Sequence, residues 1–205
     1  MHLAVFEVLR QIEQTFSDAE EIYTGTKEFS AKNIRDVFPI NKTVNFSKII
    51  EGGVGSEQKD LKLIDEDWFA YNENFGTSEE KEFVAYFKNL VDDLRKTYSK
   101  VYLVRNERAF KIYNFEDGAA FEPDFVLFLQ KKNTTDFEQL QIFIEPKGSH
   151  LLEHDAWKEK FLLSLQEKSI PTEIYKDDGK YKIFGLHFFN AENKNNFDDE
   201  LKKII

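Results

Sequence analysis

The chain contains no cysteine in its 205 residues. Disulfides, thiol nucleophiles and cysteine-bound zinc are therefore excluded. It has no run of 18 apolar residues and no signal-peptide pattern. A soluble, cytoplasmic protein with no membrane partner is expected. Histidine is scarce, so a histidine-built metal site could draw only on His2, His150, His154 and His187. Basic residues are outnumbered, 28 against 38 acidic, for a net charge of −10. Most affinity for nucleic acid comes from Lys and Arg neutralising phosphates, so this balance argues against a free-standing DNA binder. It leaves room for a module that borrows affinity from attached domains and keeps a local basic patch. The run Gly52-Gly53-Val54-Gly55 lacks the Lys-Ser/Thr ending of a phosphate-binding loop and reads as a flexible connection. No internal repeat is visible.

What is present is aromatic. The 21 Phe and 8 Tyr are ample for a core. Leu3, Phe6, Leu9, Ile12 and Phe16 suggest a helix over residues 1–17, and 18–76 are less regular, with Phe38-Pro39, Trp68-Phe69 and Phe75-Gly76 as packing points. Thr77-Ser78-Glu79-Glu80 fits a capping box, and Phe83, Phe87, Leu90 and Leu94 follow at helical spacing, which predicts a helix over 77–98. Strands are predicted at 100–106, 109–115, 123–129 and 139–146. A helix over about 153–167 carries Trp157, Phe161 and Leu165, a last strand spans 181–189, and the tail is amphipathic. Mixed strands with helices on the faces give an α/β sandwich.

The strands at 123–129 and 139–146 carry the chemistry. Phe121-Glu122-Pro123-Asp124-Phe125 opens one, and Ile144-Glu145-Pro146-Lys147-Gly148 closes the other. The polar segment 130–136 between them reads as a turn. In an antiparallel hairpin the start of one strand lies beside the end of its neighbour. Asp124, Glu145 and Lys147 should thus converge, with Glu145 and Lys147 on one face. Two carboxylates can hold a hard cation such as Mg²⁺, with the Pro146 carbonyl as a further ligand. Such an ion lowers the pKa of a bound water and offsets charge on a phosphate. A lysine beside it can orient or deprotonate that water. Pro146 lacks an N–H, so pairing should stop after Ile144.

Pro123-Asp124 followed by Glu145-x-Lys147 resembles the PD-(D/E)xK nuclease superfamily. Val101–Glu107, Phe110–Tyr113 and Phe121–Phe125 resemble the C-terminal endonuclease domain of type III restriction enzyme Res subunits, over roughly residues 77–165. The resemblance implies a restriction-endonuclease-like mixed central sheet flanked by helices. It implies a Mg²⁺-dependent DNA endonuclease, with Mn²⁺ as a substitute metal and ATP used only through an absent helicase domain. Asp124, Glu145 and Lys147 would be catalytic. Asp124, Glu145, the Pro146 carbonyl and Glu80 would hold the metal. Arg105, Arg108, Lys111, His150 and Lys158 are candidate weak DNA contacts. Implied partners are DNA, the rest of a helicase-like chain and a methyltransferase subunit. Residues 21–30 resemble the segment after a helicase core, so 1–76 is expected to be an extension or linker from a preceding helicase-like region, and 77–205 the nuclease domain. The superfamily usually adds a helix acid. Glu80 lies over the middle of the apolar stripe and Glu79 at its edge; Glu80 either points at the cluster or only completes the capping box.

Two other readings compete. A non-catalytic assembly domain of a helicase-like protein could use the same fold. His150-Leu151-Leu152-Glu153-His154 matches the H-x-x-E-H pattern of inverted zinc peptidases, which needs a helix at 150–154, whereas Gly148-Ser149 points to a turn. Lys160 reads as solvated, and Glu107 and Glu122 as structural or solvent-facing. Phe110, Tyr113, Phe115 and Phe121 read as core.

Overall fold

The computed structural model describes residues 37, 61–74, 76–132, 138–167 and 180–205. The expected helix at 1–17, the segment 21–30, the glycine run at 52–55, Phe38-Pro39 and Phe75 lie outside these residues.

The capping box at Thr77 forms as the sequence predicts. The Glu80 amide donates to Thr77 Oγ1 at 3.4 Å, and the Thr77 amide donates to the Glu80 carboxylate at 3.2 Å. It opens α1 (Ser78–Thr97), which has acids in its first turn and Arg95 and Lys96 in its last, matching the helix dipole. Phe83, Val84, Phe87, Val91 and Leu94 make its buried stripe.

A central sheet follows. β3 (Tyr98–Arg105), β6 (Phe125–Lys131), β7 (Glu138–Ile144) and β8 (Lys180–Gly185) lie in that order. The first two pairings are antiparallel, and β7 with β8 is parallel. A parallel pair needs a crossover, supplied here by α2 (Ala156–Glu167). Two short ribbons stand outside the sheet: β1 (Leu61–Lys62) with β2 (Glu73–Asn74), and β4 (Ile112–Tyr113) with β5 (Ala120–Phe121). The fold is thus mixed α/β, a mixed sheet flanked by helices. No helix among the described residues is long and apolar enough to cross a membrane.

β6 is the central strand, and its unbroken apolar run is explained by burial on both faces. Phe125, Leu127 and Leu129 join the core beneath α1 and α3 (Asn195–Ile204). Val126 and Phe128 face the second core, beneath α2, with Phe143, Phe161 and Leu165. Truncating a wholly buried ring such as Phe83 costs about 3–5 kcal/mol. α2 approaches β8 at Gly185, where a Cβ would stand 2.4 Å from the Leu162 carbonyl oxygen, so no larger residue fits.

Several expected element boundaries move. The strand at 109–115 shrinks to Ile112–Tyr113. The Asn106 side chain accepts from the Ala109 and Phe110 amides, and Arg108 sits at φ 55°, so the chain turns where pairing was expected. β8 ends at Gly185 rather than 189, and the Phe188 amide donates to Glu159 Oε1 instead of to a strand. β7 stops pairing with β6 at Ile144, as Pro146 requires, yet Pro146 still bridges Phe189 on the β8 side. α2 starts at Ala156, three residues later than expected.

Candidate active site

The register of β6 and β7 builds the site. Phe125 pairs with Ile144, so Asp124 and Glu145 come next on either strand, at the same end of the sheet. The Asp124 amide donates to Glu145 Oε2 at 3.0 Å. Lys147 Nζ donates to Glu145 Oε1 at 2.8 Å. Glu145 is buried, and Lys147 and Asp124 are partly so. The three residues of the motif therefore stand together, held by Glu145 in the middle.

Pro146 lies between the two residues that bond Phe189, in the segment after β8. The Phe189 amide donates to the Glu145 carbonyl, and the Lys147 amide donates to the Phe189 carbonyl. Carbonyls alternate sides along a strand, so that of Pro146 faces the opposite edge, where β6 has ended. Proline's missing donor is harmless there.

Glu80 forms the capping box, and its other bond goes to Arg105 rather than to Asp124 or Glu145. It is buried, and its Oε2 accepts from Arg105 Nη2 at 2.7 Å. Burial pushes its carboxyl above the usual value; Arg105 pulls it back, and Glu145 is near enough to add to the rise. Gly76 makes room for it, since a Cβ there would lie 1.9 Å from Glu80 Oε2. Glu79 turns toward Gly148 instead, where a Cβ would meet its Oε1 at 2.6 Å. Of the two acids, Glu80 is the one whose charge acts on Asp124.

The charges do not balance at Asp124. Burial, then Glu145 and Glu80, push its carboxyl well above the usual range, against the pull of Lys147 and Arg105. Among the described residues no donor reaches the Asp124 carboxylate. Lys147 is the reverse case. Burial alone would lower it, but Glu145 and Asp155 outweigh that and hold the ammonium above its ordinary value. The Lys147 side chain spans 2.8 Å contacts to both Glu145 Oε1 and Asp155 Oδ2.

The donor set suits a hard divalent cation. Asp124, Glu145 and the Pro146 carbonyl offer oxygen only, which matches Mg²⁺ or Mn²⁺ rather than zinc. Among the described residues no cluster of three or more acidic or histidine side chains could hold a metal. A cation there would supply the positive charge that Asp124 lacks.

The candidate DNA contacts fall into two groups. Arg105 is committed to Glu80 and to Glu107, the latter at 2.9 Å, and Lys111 to Glu122 at 2.9 Å. Glu107 and Glu122 thus have structural partners. Arg108 and His150 are exposed, His150 three residues past Lys147. Lys158 bonds Asp155 at 2.8 Å, while Lys160 is exposed. Lys131 and Lys132 lie at the far end of β6. Phe115 and Phe121 are core, and Phe110 packs on it, but Tyr113 is 52% exposed. The zinc-peptidase pattern lacks its helix. His150 sits in a 3₁₀ turn (Ser149–Leu151), the chain turns until 155, and His154 Nδ1 meets Asp155 at 2.9 Å.

Residues 22–203 match the model of HI_1054_C, a C-terminal domain family. The chain belongs to the HI_1054_C family. An uncharacterized protein of Haemophilus influenzae is 34% identical over 196 residues, which covers 92% of this chain and 41% of that protein. The chain therefore spans less than half the length of this relative. No solved structure matches.

Sequence reasoning missed one residue of this candidate site, Asp155. It is buried at the junction into α2 and joins Lys147 to Lys158. Against the opposing effect of burial, Lys147, then Lys158 and His154, hold its carboxyl below the usual range. The signal was an Asp just before a helical pattern with Lys three residues on, which an ordinary N-cap also shows.

Proposed function

We propose that this domain is a Mg²⁺-dependent DNA endonuclease module, the cleavage part of a chain like the type III restriction Res subunit. One observation carries the reading. Pro123-Asp124 and Glu145-Pro146-Lys147 sit at the same end of two antiparallel strands, with the Asp124 amide and the Lys147 ammonium both on Glu145 at 3.0 and 2.8 Å. The mixed sheet flanked by helices agrees with the fold that the superfamily resemblance implies.

The chemistry follows from the donors. When bound, a divalent cation would make its water a stronger nucleophile and offset charge on the scissile phosphate. Asp124, Glu145 and the Pro146 carbonyl would hold it. Lys147 binds and orients a phosphate oxygen or the attacking water through its ammonium. Glu80 adds negative field behind the pair, tempered by Arg105. Mn²⁺ substitutes for Mg²⁺, and ATP enters only through a helicase domain elsewhere in a longer protein. DNA, that helicase region and a methyltransferase subunit are the proposed partners. The greater length of the Haemophilus influenzae relative suits a module within a larger chain.

The test is nicking of supercoiled plasmid by the chain with Mg²⁺ or Mn²⁺. Nicking that disappears in Asp124→Ala supports the reading. Equal nicking by wild type and Asp124→Ala assigns it to a contaminant and ends the proposal.

A second reading is a non-catalytic interaction domain on the same fold. It is favoured by the bonds already made: both Glu145 oxygens and Glu80 Oε2 accept from protein donors. Its signature is no heat of Mg²⁺ or Mn²⁺ binding in calorimetry and no nicking at any enzyme concentration.

A further inference from the structure

Resting on the nuclease reading for its purpose, but not for its geometry, we infer that Asp155 is the positioning residue of this site, the group that fixes where the Lys147 ammonium stands. Lys147 is the third residue past the end of β7, on a side chain with four rotatable bonds. Glu145 alone would not fix it. One hydrogen bond to a carboxylate two residues away leaves the ammonium free to swing about that oxygen. Asp155 Oδ2, at 2.8 Å, supplies a second anchor from a different element. The Phe188 ring, with its centroid 5.7 Å from Nζ, flanks the side chain from a third. An ammonium has three N–H groups, so two are directed at carboxylates and one is left for a phosphate oxygen or a water.

Asp155 is itself held. Lys158 Nζ meets the same Oδ2 at 2.8 Å, and His154 Nδ1 meets Oδ1 at 2.9 Å. Lys158 lies near the Phe121 and Trp157 rings, 6.0 and 5.9 Å from their centroids, which ties it to the second core. The residue is 6% exposed, and both carboxylate oxygens have partners. It therefore transmits the position of the start of α2 to the end of β7. A simple helix cap would need no lysine from another element, and an exposed ion pair would not be buried this deeply. Surface pairs contribute little; a buried carboxylate shared by two lysines specifies geometry.

The experiment reads Lys147 directly. Ammonium ¹H–¹⁵N spectra are recorded on the whole chain, and the Lys147 signal is assigned by its loss in Lys147→Arg. In wild type the signal persists because the ammonium is hydrogen-bonded and exchanges slowly with water. Asp155→Asn should broaden or remove it while the backbone amide spectrum away from 145–160 is unchanged. Asp155→Glu, which keeps the charge, should retain a displaced signal. If Asp155→Asn does not fold, the Asp155→Glu displacement alone decides. An unchanged Lys147 signal in the folded variants overturns the inference.

Kinetics form the second arm. Asp155→Asn should lower kcat for nicking about tenfold or more with little change in KM, and Asp155→Glu should recover part of it. A merely structural role predicts a lower melting temperature with kcat intact, which also overturns the inference. If wild type does not nick DNA at all, the nuclease reading falls while the spectra still judge Asp155.

Discussion

Arg105 Nη2 lies 2.7 Å from Glu80 Oε2, and its Nη1 lies 2.9 Å from Glu107, so one guanidinium on β3 ties the first turn of α1 to the loop that follows β3. The Arg105 and Glu80 side chains are 18% and 10% exposed. Removing one partner of such a pair leaves a buried charge unmatched. Arg105→Gln should therefore cost about 2–4 kcal/mol of stability in urea unfolding at pH 7. The loss should shrink as pH falls through the raised folded value of Glu80 and be gone below pH 4.5, its usual carboxyl value, where that residue is neutral in both states. Arg105→Lys should recover little, because a lysine cannot bond both acids from one planar group.

That pair also shows where the sequence stops being readable. The start of α1 was legible because Thr77, Glu80 and the stripe from Phe83 to Leu94 are local signals. The meeting of Asp124 with Glu145 was legible because two adjacent strands with opposite directions bring those ends together. Arg105 reads as a phosphate contact by residue type alone. Its true partner is decided by how α1 packs on β3, which no spacing along the chain encodes. Asp155 was missed for the same reason, since only the turn at 149–155 carries it back to Lys147. The strand at 109–115 was over-read because a side chain, Asn106, takes the amides that the apolar pattern assigned to a ladder.

Asp124 should make the metal-free protein less stable at neutral pH than its amide variant. Its folded-state value is raised well above the ordinary 3.8, by burial first and then by Glu145 and Glu80, against Lys147 and Arg105. The fold thus favours the protonated form. Below pH 3.8 the group is protonated in both states and carries no penalty. As pH rises past 3.8 the unfolded chain releases its proton first, and stability falls until the folded value is passed. Asp124→Asn removes that loss. In a chelator, its melting temperature at pH 7 should exceed that of wild type, with the gap closing toward pH 4. Added Mg²⁺ should raise the melting temperature of wild type and not of Asp124→Asn. Equal melting curves at pH 7 would show that Asp124 is solvated.

DNA binding by the chain alone should be weak and salt-dependent. The net charge is −10, and Arg105 and Lys111 are committed to acids. Arg108 and His150 are exposed, while Lys158, its side chain 23% exposed, is shared with Asp155. Two or three phosphate contacts predict about a 10- to 40-fold loss of affinity between 50 and 200 mM salt. Fluorescence anisotropy with a duplex at several salt concentrations measures this. Tight binding with no salt dependence would contradict it, as would a slope unaltered in Arg108→Gln.

Lys147→Ala should abolish nicking and leave metal binding largely intact, whereas Asp124→Ala and Glu145→Ala should weaken both. The roles differ in chemistry. A carboxylate contributes charge and coordination to a hard cation, and losing either removes both. The Lys147 ammonium cannot coordinate a cation; it stands 2.8 Å from Glu145 and repels one. Its removal frees a Glu145 oxygen, so affinity for Mg²⁺ should hold or rise slightly. What is lost is the donor that orients the phosphate or the water. The fold should survive better than in Arg105→Gln, because Lys158 remains at 2.8 Å to keep Asp155 paired. Metal titration by calorimetry and nicking assays on the same three variants separate the roles. If Lys147→Ala nicks at near the wild-type rate, the lysine is a structural link between β7 and α2. The Glu145-Pro146-Lys147 match would then carry no catalytic meaning.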